Sequence, residues 1–215
     1  MAVVRGEARA PSILDAFEAS LADARAAIAG SDFMSAASGG GSEALYRGLL
    51  SAELWLARER SSHLAQAAWQ VSSVGTAGTA GSDETALRLH FVRRTREVSA
   101  RAALIEGALG GEPGPASPFT AALIAMHHHA ACGDSRRLLA WELATGDAVA
   151  SALDDAALSM RTRWSLPAPI APLFDARPAG TALLLAPRLD DGVFRFAADV
   201  LVLHRSMHDA LLSSS

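Results

Sequence analysis

The sequence predicts an all-α fold, a helical bundle of five to six helices in a single domain. The chain is dominated by good helix formers, with Ala, Leu, Arg and Glu prominent. Apolar residues recur three or four positions apart over long segments, which is the period of one helical face. Segments that alternate apolar and polar residues, as strands do, are essentially missing. A length of 215 residues fits one domain.

Capping and breaking residues set the bounds of the predicted helices. Ser12 is a suitable N-cap and Gly30 a suitable stop for the first helix, and Ser117 followed by Pro118 starts the fourth. Asp134 can cap the fifth helix, which we expect to kink at Gly146-Asp147. In chain order the predicted helices cover 12–29, 43–72, 82–109, 118–132, 134–164 and the segment after Asp190 or Asp191.

The segments between these helices have the composition of loops. We expect a flexible N-terminus over 1–11, a flexible joint with three glycines over Ser35–Ser42, and a low-complexity loop over Gly75–Ser82. Gly110–Pro118 is a clear break, and 165–180 is a Pro-rich crossover. Thr181–Leu185 is short and compatible with a β-strand.

Composition excludes several classes of function. The formal net charge of −4 argues against nucleic-acid binding driven by bulk charge. Cys132 is the only cysteine, so no intrachain disulfide can form and a reducing cytoplasm is expected. No apolar run approaches the length of a membrane span or a signal peptide. All nineteen basic residues are Arg, as in GC-rich bacterial genomes, and a Schiff-base lysine is therefore impossible.

All seven histidines lie on predicted helices, so a bundle could direct several of them toward one cavity. His204 and His208 are four residues apart and share a helical face, where such a pair can chelate one metal ion. On the second helix the inward stripe turns polar in its second half, at Glu59 and His63, as expected of a helix that lines a cavity or leaves the core.

The fourth helix carries three adjacent histidines, His127, His128 and His129, of which at most two can face one site. His128 and Cys132 are one turn apart and could ligate together or form a thiolate–imidazolium pair. We therefore take five residues as metal-ligand candidates, namely His63, His128, Cys132, His204 and His208.

Acid–base chemistry has its own candidates on the second and third predicted helices. They are Glu59, His90, Arg94 and Glu97, and an Arg here could also clamp an anionic substrate through two hydrogen bonds. If Arg94 or Arg101 is buried beside His90 and Glu97, a metal-free acid–base site becomes the better interpretation.

The segment from Trp55 to Trp69 reads WLARERSSHLAQAAW. It resembles the second-helix motif of DinB-like bundles, in which a Trp precedes a His-Leu-Ala at the same interval. The resemblance implies that His63 binds a divalent metal and that His128 lies in the element that supplies further ligands. The His-Arg-Gly-Gln ending of that family is replaced by HHHAACGDSRRLL, so Cys132 or His129 would be the third ligand.

Three functions are therefore expected. The first is a cytoplasmic enzyme of bacterial specialised metabolism with a His- and Glu-lined site for a divalent metal (Zn, Ni or Fe) and a small polar substrate. The second is a metal-free enzyme in which Arg, Glu and His groups drive elimination or intramolecular substitution on an anionic substrate. The third is a non-catalytic helical subunit of a homo- or hetero-oligomer. None of the three requires a nucleic acid or a membrane.

Overall fold

The computed structural model describes residues 12–74, 82–146, 148–166, 180–186 and 189–215. Within these ranges every regular element is an α-helix, so the predicted all-α fold is confirmed. The described residues form nine helices: α1 Ile13–Ala29, α2 Asp32–Ser38, α3 Glu43–Val74, α4 Ser82–Leu109, α5 Pro118–Gly133, α6 Ser135–Ala144, α7 Ala148–Trp164, α8 Thr181–Leu185 and α9 Asp191–Ser214. This number exceeds the expected five to six. The short helices α2 and α8 were not predicted, and the predicted helix over 134–164 is two helices, α6 and α7.

Helix α1 is capped as the sequence predicts. The Ser12 hydroxyl accepts a hydrogen bond from the backbone N–H of Asp15 at 3.1 Å, and the Asp15 carboxylate accepts one from the Ser12 N–H at 2.8 Å. This reciprocal capping box satisfies two N–H groups that the first turn leaves free. Gly30 ends the helix, and the buried face of α1 packs against α9.

The predicted flexible joint over Ser35–Ser42 is wrong in its first half, where α2 is helical. The Ser31 hydroxyl caps α2 by accepting from the Met34 N–H at 3.3 Å, and burial of Phe33 and Ala37 holds the helix against α7 and α9. The chain turns only after α2, at Gly40, whose φ of +92° suits glycine.

Helices α3 and α4 are the two longest and pack side by side in antiparallel orientation. The start of α3 meets the end of α4, where Arg47 Nη1 donates to the Leu109 carbonyl at 3.0 Å, and the middles of the two helices meet where the hydroxyls of Ser61 and Ser99 lie 2.5 Å apart. The predicted bounds of α4 are confirmed. Except for Ser82, the predicted loop over Gly75–Ser82 lies outside the described residues.

The central helix of the bundle is α6, in which every residue from Leu138 to Ala144 is buried. A helix buried on all sides lies in the core. Asp134 caps α6 through the Arg136 N–H at 3.1 Å, as predicted. The expected single helix from Asp134 to Trp164 is two helices, since α6 ends at Ala144 and α7 begins at Ala148.

The β-compatible segment Thr181–Leu185 is the helix α8, so the strand expectation is wrong. Gly180 precedes it with a φ of +86°, and the Thr181 and Leu185 side chains are buried against α6. A five-residue segment has too little periodicity to separate a strand from one turn of buried helix. The predicted Pro-rich crossover, from 167 to 179, and the predicted flexible segment 1–11 lie outside the described residues.

Helix α9 closes the bundle against α1, α5 and α6. Asp190 caps it by accepting from the Val193 N–H at 2.9 Å. Its apolar residues, spaced three or four apart, pack inward: Phe196, Val200 and Met207 are buried, and Leu203 and Leu211 are partly buried. In the part of the chain that the structure describes, no helix has both the length and the apolar character needed to cross a membrane.

Candidate metal centre

Two helices that are distant in sequence bring Glu53, His204 and His208 together. One ligand atom from each residue, a carboxylate oxygen of Glu53 on α3 and a ring nitrogen of each histidine on α9, lies within 4.8 Å of the other two. The four-residue spacing of the histidines puts both imidazoles on the same face of α9. The predicted chelating pair is therefore joined by a carboxylate that the sequence analysis did not select.

Both imidazoles are buried, and their nitrogens are poorly satisfied. The side chain of His208 is 0% exposed and that of His204 is 7% exposed. Among the described residues, neither ring nitrogen of His208 has a hydrogen-bond partner, and Nε2 of His204 has none. Buried polar atoms without partners are rare and costly, so each one calls for an explanation.

Burial also fixes the protonation state of these two rings. It lowers the pKa of His208 to about 4. Burial, followed by the neighbouring His208 and the positive charge of Arg60, holds the pKa of His204 well below its usual value. Both imidazoles are therefore neutral near pH 7, which is the form that binds a metal ion.

Glu53 is the half-buried carboxylate of this group. Burial raises its pKa to about 7, and the positive charges of Arg60 and Arg101 oppose that rise. The carboxyl group is poised to lose its proton near neutral pH. A carboxylate with this environment at the edge of a cavity is a typical functional-site residue.

A small cavity of about 30 Å³ adjoins this group. Glu53, Arg60, Arg101 and His204 supply its charged and polar lining, and apolar residues of α7 supply another wall. Because one water-sized sphere needs about 10–15 Å³ of such space, the cavity has room for roughly two. A metal ion at the three ligands would thus have space for small additional ligands.

A second histidine cluster lies between α3 and α5. Nδ1 of His63 is 3.2 Å from Nδ1 of His127, and the ring of His128 lies 4.9 Å from that of His63. Cys132 Sγ is 3.5 Å from Nε2 of His128 and accepts a hydrogen bond from Gln66 at 3.3 Å. Three predicted ligands, His63, His128 and Cys132, are therefore neighbours.

Of the three adjacent histidines, His127 is the one that faces the core. It is buried, whereas His128 and His129 are exposed. Burial, followed by the charge of Arg60, holds the pKa of His127 well below its usual value. Burial and the nearby His128 lower the pKa of His63 to about 4.

Trp141 on α6 separates the two histidine clusters. Its fully buried ring meets the ring of His127 edge-on at 5.0 Å and that of His204 at 5.6 Å between centroids. The Arg60 guanidinium lies 6.0 Å from the same ring. The five ligands predicted from the sequence therefore belong to two places in the fold, with His204 and His208 on one side of Trp141 and His63, His128 and Cys132 on the other.

The predicted acid–base residues His90 and Arg94 meet at Glu142, a buried carboxylate on α6. His90 Nε2 lies 2.8 Å from one Glu142 oxygen, Arg94 Nε donates to the other at 2.8 Å, and the Thr181 hydroxyl donates at 3.3 Å. Burial alone would raise the pKa of Glu142, but the hydrogen bond from His90 and the charge of Arg94 outweigh it and lower that pKa.

This network links α4, α6 and α8, and both carboxylate oxygens of Glu142 accept hydrogen bonds within it. Arg94 is buried beside His90 as the metal-free interpretation requires, and it also contacts Glu97, whose side chain is 43% exposed. Glu59 lies elsewhere: it is half-buried on α3, and no hydrogen bond or ion pair joins it to another described residue. The four predicted catalytic residues therefore do not form one site.

Glu53 and Glu142 are the site residues that sequence reasoning missed, and Arg60, Arg101 and His127 belong to these clusters without having been selected as ligands or catalytic groups. Glu53 and Arg60 are seven residues apart on α3 and therefore lie on one face of the helix. Each directly follows a residue of the predicted stripe, Ala52 or Glu59. Glu142 could have been found from the sequence, because it is a charged residue within the apolar run of α6 and a buried charge needs a partner.

Comparison of the chain with models of known protein families, with curated proteins and with solved structures found no match. The similarity to DinB-like bundles accordingly stays a resemblance over the fifteen residues from Trp55 to Trp69.

Proposed function

We propose that this protein is an enzyme with a mononuclear divalent-metal centre at Glu53, His204 and His208, acting on a small polar substrate. The observation that carries the proposal is the convergence of these three ligand atoms within 4.8 Å, on two helices, with buried imidazole nitrogens that have no other partner among the described residues. Two histidines and one carboxylate are a common ligand set of catalytic zinc and of non-haem iron.

Such a ligand set leaves coordination positions open. A metal ion held by three protein groups can bind a water or a substrate oxygen at a further position, act as a Lewis acid and lower the pKa of bound water. The cavity beside Glu53 and His204 is where this additional ligand would lie. The guanidinium groups of Arg60 and Arg101 line that cavity and would stabilise negative charge that develops on the substrate.

The environment of the three ligands supports the same function. Neutral imidazoles need not lose a proton to bind a metal ion, and the raised pKa of Glu53 falls when a cation replaces its proton. Without a ligand, the same imidazole nitrogens are a cost to stability. Placement in bacterial specialised metabolism stays a prediction.

Metal binding by single-residue variants tests the proposal. Metal-free protein is titrated with Co²⁺, whose visible spectrum reports the ligand set, and with Zn²⁺ and, under anaerobic conditions, Fe²⁺. We expect His204→Ala and Glu53→Gln to lose one equivalent of metal that the wild type binds. His129→Ala, which removes an exposed histidine of α5, should retain it. If His204→Ala and His129→Ala bind the same amount of metal with the same spectrum, the proposal is refuted.

A second metal centre at His63, His128 and Cys132 is the alternative, and it would fit the DinB-like resemblance. The contacts of His128 with Cys132 and with His63 favour it. A thiolate ligand gives Co²⁺ an intense charge-transfer band in the near ultraviolet, which a His and carboxylate set does not. A bound Co²⁺ that shows this band in the wild type and loses it in Cys132→Ser would identify the alternative centre.

A further inference from the structure

The cavity beside the candidate metal centre carries an unusual density of buried charge. Arg60 is 8% exposed and Arg101 is half-buried, and both line the cavity with Glu53. The charge of Asp154, on α7, acts on Glu53 and Arg101. The charges of Arg94 and Glu142 act on Arg60. Three guanidinium groups thus meet these three carboxyl groups and a fourth, Glu97 on Arg94, so the cluster has at most one excess negative charge with which to receive a divalent cation.

A divalent cation at Glu53, His204 and His208 would leave this cluster with an uncompensated positive charge. Positive charges in a poorly solvated site repel one another strongly, since water screens them little. The repulsion is already present between the arginines: burial, then the neighbouring guanidinium groups, lowers the pKa of Arg60 and of Arg101 to about 10. A bound anion would remove most of this excess.

The dimensions of the cavity restrict the anion. A volume of about 30 Å³ accommodates roughly two water-sized spheres, which matches the two oxygens of a carboxylate group. His204, whose Nε2 has no partner among the described residues, lines the cavity together with the two arginines. A planar guanidinium is the side chain best suited to hold two carboxylate oxygens at once.

We infer that the substrate of this site carries a small carboxylate group, which would bind in the cavity between the metal ion and the guanidinium groups of Arg101 and Arg60. The inference rests on the proposed function, because the metal ion supplies part of the charge that attracts the anion. It adds that metal and carboxylate bind cooperatively, each increasing the affinity of the protein for the other by the same factor.

Cobalt titrations with a carboxylate probe test this inference. Metal-free protein is titrated with Co²⁺ in excess sodium acetate, in excess acetamide (its neutral isostere), and in chloride alone, all at one ionic strength. We expect acetate to change the cobalt spectrum and to raise the affinity for Co²⁺ by about 5- to 150-fold, the usual range of such coupling. Acetamide should do neither.

Variants separate the carboxylate subsite from the metal ligands. Arg101→Met should bind Co²⁺ but lose the effect of acetate. Arg101→Lys should keep a reduced effect, because lysine preserves the positive charge but cannot form the bidentate pair of hydrogen bonds. Arg47→Met, at a half-exposed arginine on α3 whose partner is Glu43, should behave as the wild type. Circular dichroism of each variant establishes that the helices are retained.

The outcomes distinguish the two proposals. Co²⁺ binding that acetate affects no more than acetamide does, or an acetate effect that survives in Arg101→Met, overturns the carboxylate inference and leaves the metal centre standing. A wild-type protein that binds no Co²⁺ at the three ligands overturns the proposed function, and the inference with it.

Discussion

Nδ1 of His63 and Nδ1 of His127 lie 3.2 Å apart in a buried contact between α3 and α5. At that distance one of the two nitrogens must donate a proton and the other must accept it, because two N–H groups would repel and two lone pairs would leave both unsatisfied. The pKa of both rings is lowered, chiefly by burial, so each carries a single proton at neutral pH. The contact therefore requires opposite tautomers.

We predict that nitrogen NMR of ¹⁵N-histidine protein at pH 7 shows one of these residues as the Nδ1–H tautomer and the other as the Nε2–H tautomer. The resonances are assigned with His63→Gln and His127→Gln. The exposed His129 lies outside this contact and provides the internal reference. Two Nε2–H tautomers for His63 and His127 would show that this hydrogen bond is not formed.

Glu142 should be the charged residue whose loss costs the most stability. We predict that Glu142→Gln lowers the free energy of unfolding by about 3–5 kcal/mol, because Arg94 would remain buried without the carboxylate that neutralises it. Glu97→Gln removes the second, 43% exposed carboxylate from the same arginine and should cost about 1 kcal/mol or less. Urea unfolding of both variants measures the difference, and equal losses would contradict the assigned role of Glu142.

Three helices could be predicted from their caps, since a cap is a local hydrogen bond. Ser12, Ser117 and Asp134 each start a helix as expected, because a side-chain oxygen satisfies N–H groups within three residues of it. The segments at Ser35 and Thr181 were not predicted to be helical, although Ser31 caps the first of them. Their helices are held by burial against α7, α9 and α6, which is not visible in a short window of sequence.

The candidate site could be predicted only in part, because a helical face is known from the sequence only to within one residue. The i, i+4 pairing of His204 and His208 follows from helix geometry alone and is found. On α3 the expected stripe is buried at Ala52, Leu56 and His63, but Glu59 is only half-buried and the neighbouring Arg60 is buried. Successive residues of a helix are about 100° apart, so the adjacent face with Glu53 and Arg60 reaches the site although neither residue belongs to that stripe.

We predict that the free energy of unfolding falls more steeply on acidification than protonation of the carboxylates alone would cause. Below pH 6.5 the unfolded chain binds protons at His63, His127, His204 and His208, while the folded chain excludes them because the pKa of each buried ring is lowered. The unfolded state then binds more protons, so stability falls as the pH falls. His63 and His208, with a pKa of about 4, each contribute up to about 1.4 kcal/mol per pH unit between 6.5 and 4.

Glu53 affects the pH dependence of stability in the opposite direction to the four histidines, so its removal provides a control. Its pKa is about 7 in the folded chain and 4.5 in the unfolded one, so the folded state holds the extra proton between those values and stability falls as the pH rises through them. We therefore predict that Glu53→Gln has a steeper loss of stability on acidification from pH 7 to 5 than the wild type. Urea unfolding with a chelator present measures both slopes, and a shallower slope in Glu53→Gln would contradict the assignment.

We expect the buried imidazole of His208 to lower the free energy of unfolding. Neither ring nitrogen has a partner among the described residues, and a buried polar group without one costs about 1–3 kcal/mol. Leucine has nearly the same volume, so His208→Leu should recover this energy and lose about 0.5–1.5 kcal/mol of stacking on Phe33, whose ring centroid lies 4.8 Å from that of His208.

We predict a net gain in the free energy of unfolding of His208→Leu of about 1 kcal/mol at pH 7 in the presence of chelator. The gain should increase at pH 5, where the wild type carries the penalty of excluding a proton. The same variant should lose the metal equivalent at Glu53 and His204, so that a loss of binding accompanies a rise in stability. If His208→Leu is less stable than the wild type at both pH values, the imidazole has a structural role in the core, and its orphaned nitrogens are no sign of a ligand.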